Sequence, residues 1–219
     1  MFYNKLMKKL TLLLISLLLL TACNEEKKPL SIKEQYPEIT GESMFIDASQ
    51  EQVLNMLENG TGIVFFSWID CPWCHGYIDL VNNAAIENDI NVLYYDIYND
   101  RQENNEFYKK VISIVKDDIG NFPYQTNGEI KKAYDSDGNP RIYVPMTICV
   151  AQGKIYSIDY SSSMESDYEK NFESYWNEEI KAGYTKRNQL SEYFDNCFSV
   201  IKQLKEKIDK EGCTEACEL

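Results

Sequence analysis

The chain has 219 residues, of which 44% are apolar, including 16 Tyr and 9 Phe, enough for one packed domain with insertions. Its 35 acids outnumber its 22 bases for a net charge of −13, which argues against nucleic-acid binding or close approach to an anionic surface and favours solubility.

Lys5, Lys8 and Lys9 precede an uncharged, leucine-rich run from Leu10 to Leu20. The run is shorter than the roughly 20 residues of a membrane-spanning helix, so residues 1–22 read as a secretory signal. It ends in Leu20-Thr21-Ala22-Cys23, which resembles the lipobox of bacterial lipoproteins. That resemblance implies cleavage before Cys23 and lipidation of its thiol, placing the protein outside the cytoplasm on the cell membrane. An ordinary secretory signal with a chance cysteine is the alternative. Cleavage there removes three lysines and no acid, leaving the mature chain more acidic still.

Residues 23–43 are polar, carry Pro29, Pro37 and Gly41, and read as a flexible tether. Ser49 with Gln52 forms a capping-box pattern for a helix over residues 50–59, ended by Asn59-Gly60. Ile63 to Trp68 is a short apolar strand, followed by Cys71-Pro72-Trp73-Cys74 and an amphipathic helix to about Ile86. Val92 to Ile97 is the next strand, which makes residues 63–97 a βαβ unit with parallel strands. A helical pattern follows, with Phe107, Val111, Ile114 and Val115 on one face, then turn-rich chain from Gly120 to Asn139. Within it, Asp135 to Asn139 is a turn and not a calcium loop, because its glycine stands fourth and no Glu stands twelfth.

Met146–Ala151 and Lys154–Tyr160 flank Gln152-Gly153 as a hairpin in which Gly153 supplies a positive φ. Two helices are expected after it, one near residues 165–182 closed by Gly183 and one over about 187–210 closed by Gly212. The aromatics from Tyr156 to Tyr184 suit the core of the first of these, or a client groove. The last helix places Leu190, Phe194, Cys197, Ile201, Leu204 and Ile208 on one face, so Cys197 faces the core. A short tail, 213–219, carries Cys213 and Cys217.

The chemistry concentrates in Cys71-Pro72-Trp73-Cys74. With Cys71 as N-cap, Pro72 takes the first helical position, where a missing N–H costs nothing. The amides of Trp73 and Cys74 are then free to stabilise a Cys71 thiolate, aided by the helix dipole. Three-residue spacing puts Cys74 on the same face, close enough to displace a mixed disulfide formed on Cys71. His75, the chain's single histidine, either tunes the pair or is a tolerated, partly exposed side chain. Cys149 and Cys197 are open to a buried disulfide or two inert thiols, and Cys213 and Cys217 to a bridge or free thiols. Cys71, Cys74, Cys213 and Cys217 together would make a four-thiolate zinc set, and a static Cys71–Cys74 disulfide is a further alternative.

The strand, thiol pair at a helix start, βαβ unit and proline heading a hairpin resemble the thioredoxin superfamily. The resemblance is carried by Phe65-Phe66-Ser67-Trp68-Ile69-Asp70-Cys71-Pro72-Trp73-Cys74 and Val144-Pro145-Met146-Thr147, and covers residues 44–97, 142–160 and the last helix. It implies an α/β fold, a central mixed β-sheet flanked by helices, over residues 44–212 with insertions near 98–141 and 161–186. By position it makes Cys71 the attacking thiol, Cys74 the resolving one and Pro145 a cis proline. Val144 and Pro145 would offer backbone groups to an extended client peptide, and Trp73 an apolar contact, packing of Trp73 on the insertion being equally open.

The implied function is extracytoplasmic thiol–disulfide exchange with cysteine-containing client proteins or peptides, a redox partner recycling the pair, and no cofactor or metal. A non-catalytic binding lipoprotein on the same scaffold is the competing reading. Lipoproteins of this design also resemble accessory proteins of bacteriocin export. Two departures stand out: Asp70 precedes Cys71 where an aromatic is usual, and Phe65 stands where thioredoxins bury an acid. Asp70 is expected to oppose the thiolate, and Phe65 leaves Cys74 without an evident proton acceptor.

Overall fold

The run Ile63-Val64-Phe65-Phe66 lacks the alternation of a half-buried strand, and in the computed structural model it forms the middle of the sheet with every residue buried. The structure describes residues 30–119, 124–126, 129–131, 134–135, 137–159 and 176–211. The expected signal, Cys23, Cys213, Cys217, and residues 160–175 of the expected helical insertion lie outside the described residues. No helix among the described residues is long and apolar enough to cross a membrane.

Five strands make a mixed sheet in the order β1-β3-β2-β6-β7: β1 (Phe45–Asp47), β2 (Gly62–Ser67), β3 (Val92–Asp96), β6 (Met146–Ala151) and β7 (Lys154–Asp159). β3 runs parallel to both β1 and β2, with Val64 opposite Leu93, as the βαβ reading requires. β6 runs antiparallel to β2, with Val64 opposite Ile148, and turns back into β7. Gln152 at φ 51° and Gly153 at φ 71° make that turn. Gly153 is required for space as well, since a Cβ there would collide with the Glu58 carbonyl and its amide bonds the Gly60 carbonyl at 2.8 Å.

Helices flank the sheet. α2 (Gln50–Asn59) has its capping box at Ser49 and Gln52, worth about 1 kcal/mol, and packs with α6 (Glu106–Val115) against the sheet. α4 (Ile78–Asn88) packs against the 26-residue α7 (Lys186–Glu211), which also lies on β6 and β2. Cys197 on α7 is joined to Cys149 on β6 by a disulfide, the Cα atoms 6.5 Å apart, and both residues are buried. On α6 the buried face is Phe107, Tyr108, Val111 and Val115, with Ile114 only partly covered.

Four local differences from the sequence reading have physical causes. Residues 31–43, expected as tether, belong to the fold: Ser31 caps α1 (Ile32–Gln35), Ile32, Tyr36 and Ile39 are buried, and the Asn82 amide grips Met44 N and Glu42 O at 2.9 Å each. The helix after the thiols is split into α3 (Pro72–His75) and α4, because the Gly76 carbonyl bonds Arg187 from α7 and the Tyr77 amide tightens onto Cys74.

The expected helix over 165–182 does not extend to Gly183. Glu179–Lys181 (β8) and Tyr184–Thr185 (β9) pair as a hairpin, and the positive φ of Gly183 serves its turn in place of a helix cap. In the turn-rich stretch, Tyr124–Thr126 (β4) and Glu129–Lys131 (β5) pair as a second small hairpin. The Asp135 turn is as expected, its carboxylate accepting the amides of Asp137 and Asn139.

Candidate active site

β2 ends at Ser67, and Trp68-Ile69-Asp70 carries the chain round so that the Cys71 amide bonds Trp68 O at 3.0 Å. Cys71 is the N-cap with Pro72 at the first helical position, and the Cys74 amide donates to Cys71 Sγ at 3.3 Å. Cys71 at the N-cap and Pro72 at the first helical position are as the sequence reading had them, and of the two expected amides that of Cys74 makes the bond. Both residues are free thiols. Cys71 keeps 5% of its surface and Cys74 none, so the Cys71 sulfur is more enclosed than its place at a helix start suggests.

The Cys71 thiol lies below the ordinary thiol range, chiefly through a hydrogen bond from the Cys74 thiol, with the amides of Cys74 and Trp73 and the charge of His75 adding to it against the opposing effect of burial. Burial pushes Cys74 well above that range, and the neighbouring Cys71 reinforces this. The two thiols are thus shifted in opposite senses, Cys71 down and Cys74 up. Asp70, expected to oppose the thiolate, is exposed, where water and salt screen its charge.

Across from the thiols, the Val144-Pro145 peptide bond is cis, and the Cys71 thiol reaches Val144 O at 3.7 Å. Val144 and Pro145 are therefore beside Cys71, as their assignment needs. Trp73 is half-buried, with Trp176 edge-on at 6.3 Å, so one side of it packs on Trp176.

Ser67, Tyr36 and Tyr94, to which the sequence reading gave no role, complete the site with Phe65 and His75. Phe65 is fully buried and stacks on Tyr77, ring centroids 5.8 Å apart. Near Cys74 lies a set of hydroxyls: Ser67 acts on Cys74 in the sense that favours its ionised form, Tyr36 Oη is 2.9 Å from Ser67 Oγ, and Tyr94 Oη is 3.1 Å from Tyr36 Oη. Ser67 and Tyr36 are completely buried. The available signal was a serine interrupting a fully apolar strand four residues before Cys71. His75 is held on both sides, Nε2 lying 2.7 Å from Ile69 O and Nδ1 3.0 Å from the Glu38 carboxylate, with its ring against Tyr36. It is an anchored side chain and not a merely tolerated one.

No group of three or more His, Cys, Asp or Glu side chains suited to a metal occurs among the described residues, and the two cysteines needed for the zinc alternative lie outside them. No protein-family model, no curated protein and no solved structure matches the chain.

Proposed function

We propose that the protein is a thiol–disulfide oxidoreductase of thioredoxin-like fold, held by a lipid on Cys23 at the outer face of a cell membrane. The observation that carries this is Cys71 at an N-cap, its sulfur bonded by the Cys74 amide at 3.3 Å and facing Val144 O beside a cis proline. The export signal and the lipobox-like Leu20-Thr21-Ala22-Cys23 support the location.

In the reducing direction, the Cys71 thiolate attacks one sulfur of a client disulfide and the other sulfur leaves as a thiolate. Cys74 then loses its proton and attacks Cys71 Sγ, the second client sulfur leaves, and the client gains two electrons while Cys71 and Cys74 become a disulfide. The reverse sequence donates that disulfide to a reduced client. A partner of the opposite redox state returns the pair to its starting form. Val144 offers backbone groups to an extended client, and Trp73 an apolar edge.

Reduction of insulin by the purified protein with dithiothreitol, compared with Cys71→Ser, tests the proposal: activity in the first and background in the second supports it, and equal rates sink it. The enclosure of both sulfurs favours one second reading, a binding lipoprotein with a structural Cys71–Cys74 disulfide. A reduction potential below about −300 mV supports that reading and a higher one supports exchange.

A further inference from the structure

Arginine is scarce here, three residues against 19 lysines, and the three have different surroundings. Arg187 pairs with the Asp79 carboxylate and bonds Gly76 O at 3.4 Å. Arg101 and Arg141 meet no carboxylate at ion-pair distance among the described residues, in a chain with an excess of acids. Arg101 donates from Nη1 to Ile142 O at 3.2 Å and lies over the Tyr98 ring, and Arg141 lies over the Tyr143 ring at 5.4 Å. Both side chains are half-buried, and the Nε of each is closed off from solvent with no hydrogen-bond partner.

Two guanidinium groups brought together without an anion repel each other and leave donors unmet. Arg101 bonds the carbonyl of Ile142, the residue after Arg141, and in keeping with that placement burial and then Arg141 lower the pKa of Arg101 while Tyr108 and Cys71 act in the opposite sense. Asp135, whose carboxylate Arg141 also feels, accepts instead from the amides of Asp137 and Asn139. Cys71 Sγ is 3.7 Å from Val144 O and Arg101 Nη1 3.2 Å from Ile142 O. Two residues of chain span about 7 Å, so thiol and guanidinium lie within about 14 Å of each other.

We propose that Arg101 and Arg141 form an anion subsite that takes a client's Asp or Glu carboxylate within about four residues of the cysteine engaged by Cys71. The planar fork of arginine suits a carboxylate in a way that the abundant lysines do not, and a carboxylate beside the pair offsets their like charges. The strongly negative chain repels acidic peptides at long range, so only an acid placed on this pair gains by it. The proposal rests on the exchange reading for what the client is, but its test involves no exchange.

Fluorescence anisotropy on the full reduced protein compares labelled extended peptides whose cysteine is replaced by serine, with Glu or Gln at each of four positions on either side. The expected result is about tenfold tighter binding for Glu at one or two of these positions, fading with added salt. Arg101→Gln and Arg141→Gln should each abolish the preference, and Arg141→Lys should keep part of it. Because the readout is a ratio of two peptides on one protein sample, partial loss of folded material cancels. Equal affinity for Glu and Gln at every position, no detectable binding of any peptide, or an unchanged preference in the double Gln variant overturns the subsite. A Glu preference without insulin reduction overturns only the exchange reading.

Discussion

Tyr36 Oη lies 2.9 Å from Ser67 Oγ and links a helix ahead of the sheet to the hydroxyl that favours ionisation of Cys74. Burial holds the hydroxyls of Tyr36 and Tyr94 far above the ordinary phenol range, so they stay protonated and act as donors, not as bases. Phe65 offers no proton acceptor, and the groups that favour ionisation of Cys74 are the Ser67 hydroxyl and the Trp68 backbone.

Ser67→Ala removes that hydroxyl and should push Cys74 further up. The mixed disulfide between Cys71 and a peptide should then resolve about fivefold more slowly, the effect of losing one hydrogen bond of about 1 kcal/mol. Quenched-flow measurement of the mixed-disulfide lifetime checks this. Alkylation of Cys71 by iodoacetamide should be unchanged within about twofold, and Tyr36→Phe should give a smaller slowing of resolution.

Cys71 alkylation should titrate with a midpoint below that of a free cysteine, and Cys74→Ala should move the midpoint up because the largest lowering interaction is the Cys74 thiol. Cys74→Ser, which keeps a donor, should move it less, and so should His75→Gln, which removes the smallest of the named contributions. Rates of carboxamidomethylation between pH 5 and 10 decide between these orders.

The same shifts set a pH dependence of stability in the reduced protein. Cys71 is depressed in the fold, so its contribution is present above the unfolded thiol value and lost as pH falls through its folded value. Cys74 is raised, so the fold holds a proton that the unfolded chain releases, and stability falls as pH rises past the ordinary thiol value. Urea midpoints of the reduced protein relative to a Cys71→Ala, Cys74→Ala variant should pass through a maximum near that ordinary value. A monotonic difference contradicts the division of the two thiols.

Removing the Cys149–Cys197 disulfide, whose ends are 48 residues apart in sequence, should cost about 4 kcal/mol of stability in the loop-entropy view. The urea midpoint of Cys149→Ala, Cys197→Ala measures this. Since this bond joins β6 to α7 away from the exchanging pair, peptide exchange per folded molecule should be unaffected.

Much of the site was legible because local rules act at short range. Pro72 after a capping cysteine, Gly153 in a two-residue turn, and Ser49 with Gln52 each dictate geometry within four residues, and each stands as read. What escaped depends on tertiary contacts. Tyr36 sits in a polar, proline-containing stretch that reads as tether, and only its burial against Tyr94 and Ser67 shows otherwise. Gly183 illustrates a local ambiguity, since a glycine at positive φ ends a helix or turns a hairpin equally well. His75 gained its role from Glu38, 37 residues earlier in the chain, which no spacing rule connects to it.

The most direct test of the division between attacking Cys71 and resolving Cys74 is covalent trapping. Cys74→Ser, incubated with a disulfide-linked peptide and quenched with acid, should accumulate a mixed disulfide that mass spectrometry places on Cys71, while the parent protein shows almost none and Cys71→Ser none at all. A variant that traps no peptide, or an adduct that persists at another cysteine when Cys71 is replaced, would contradict the central claim.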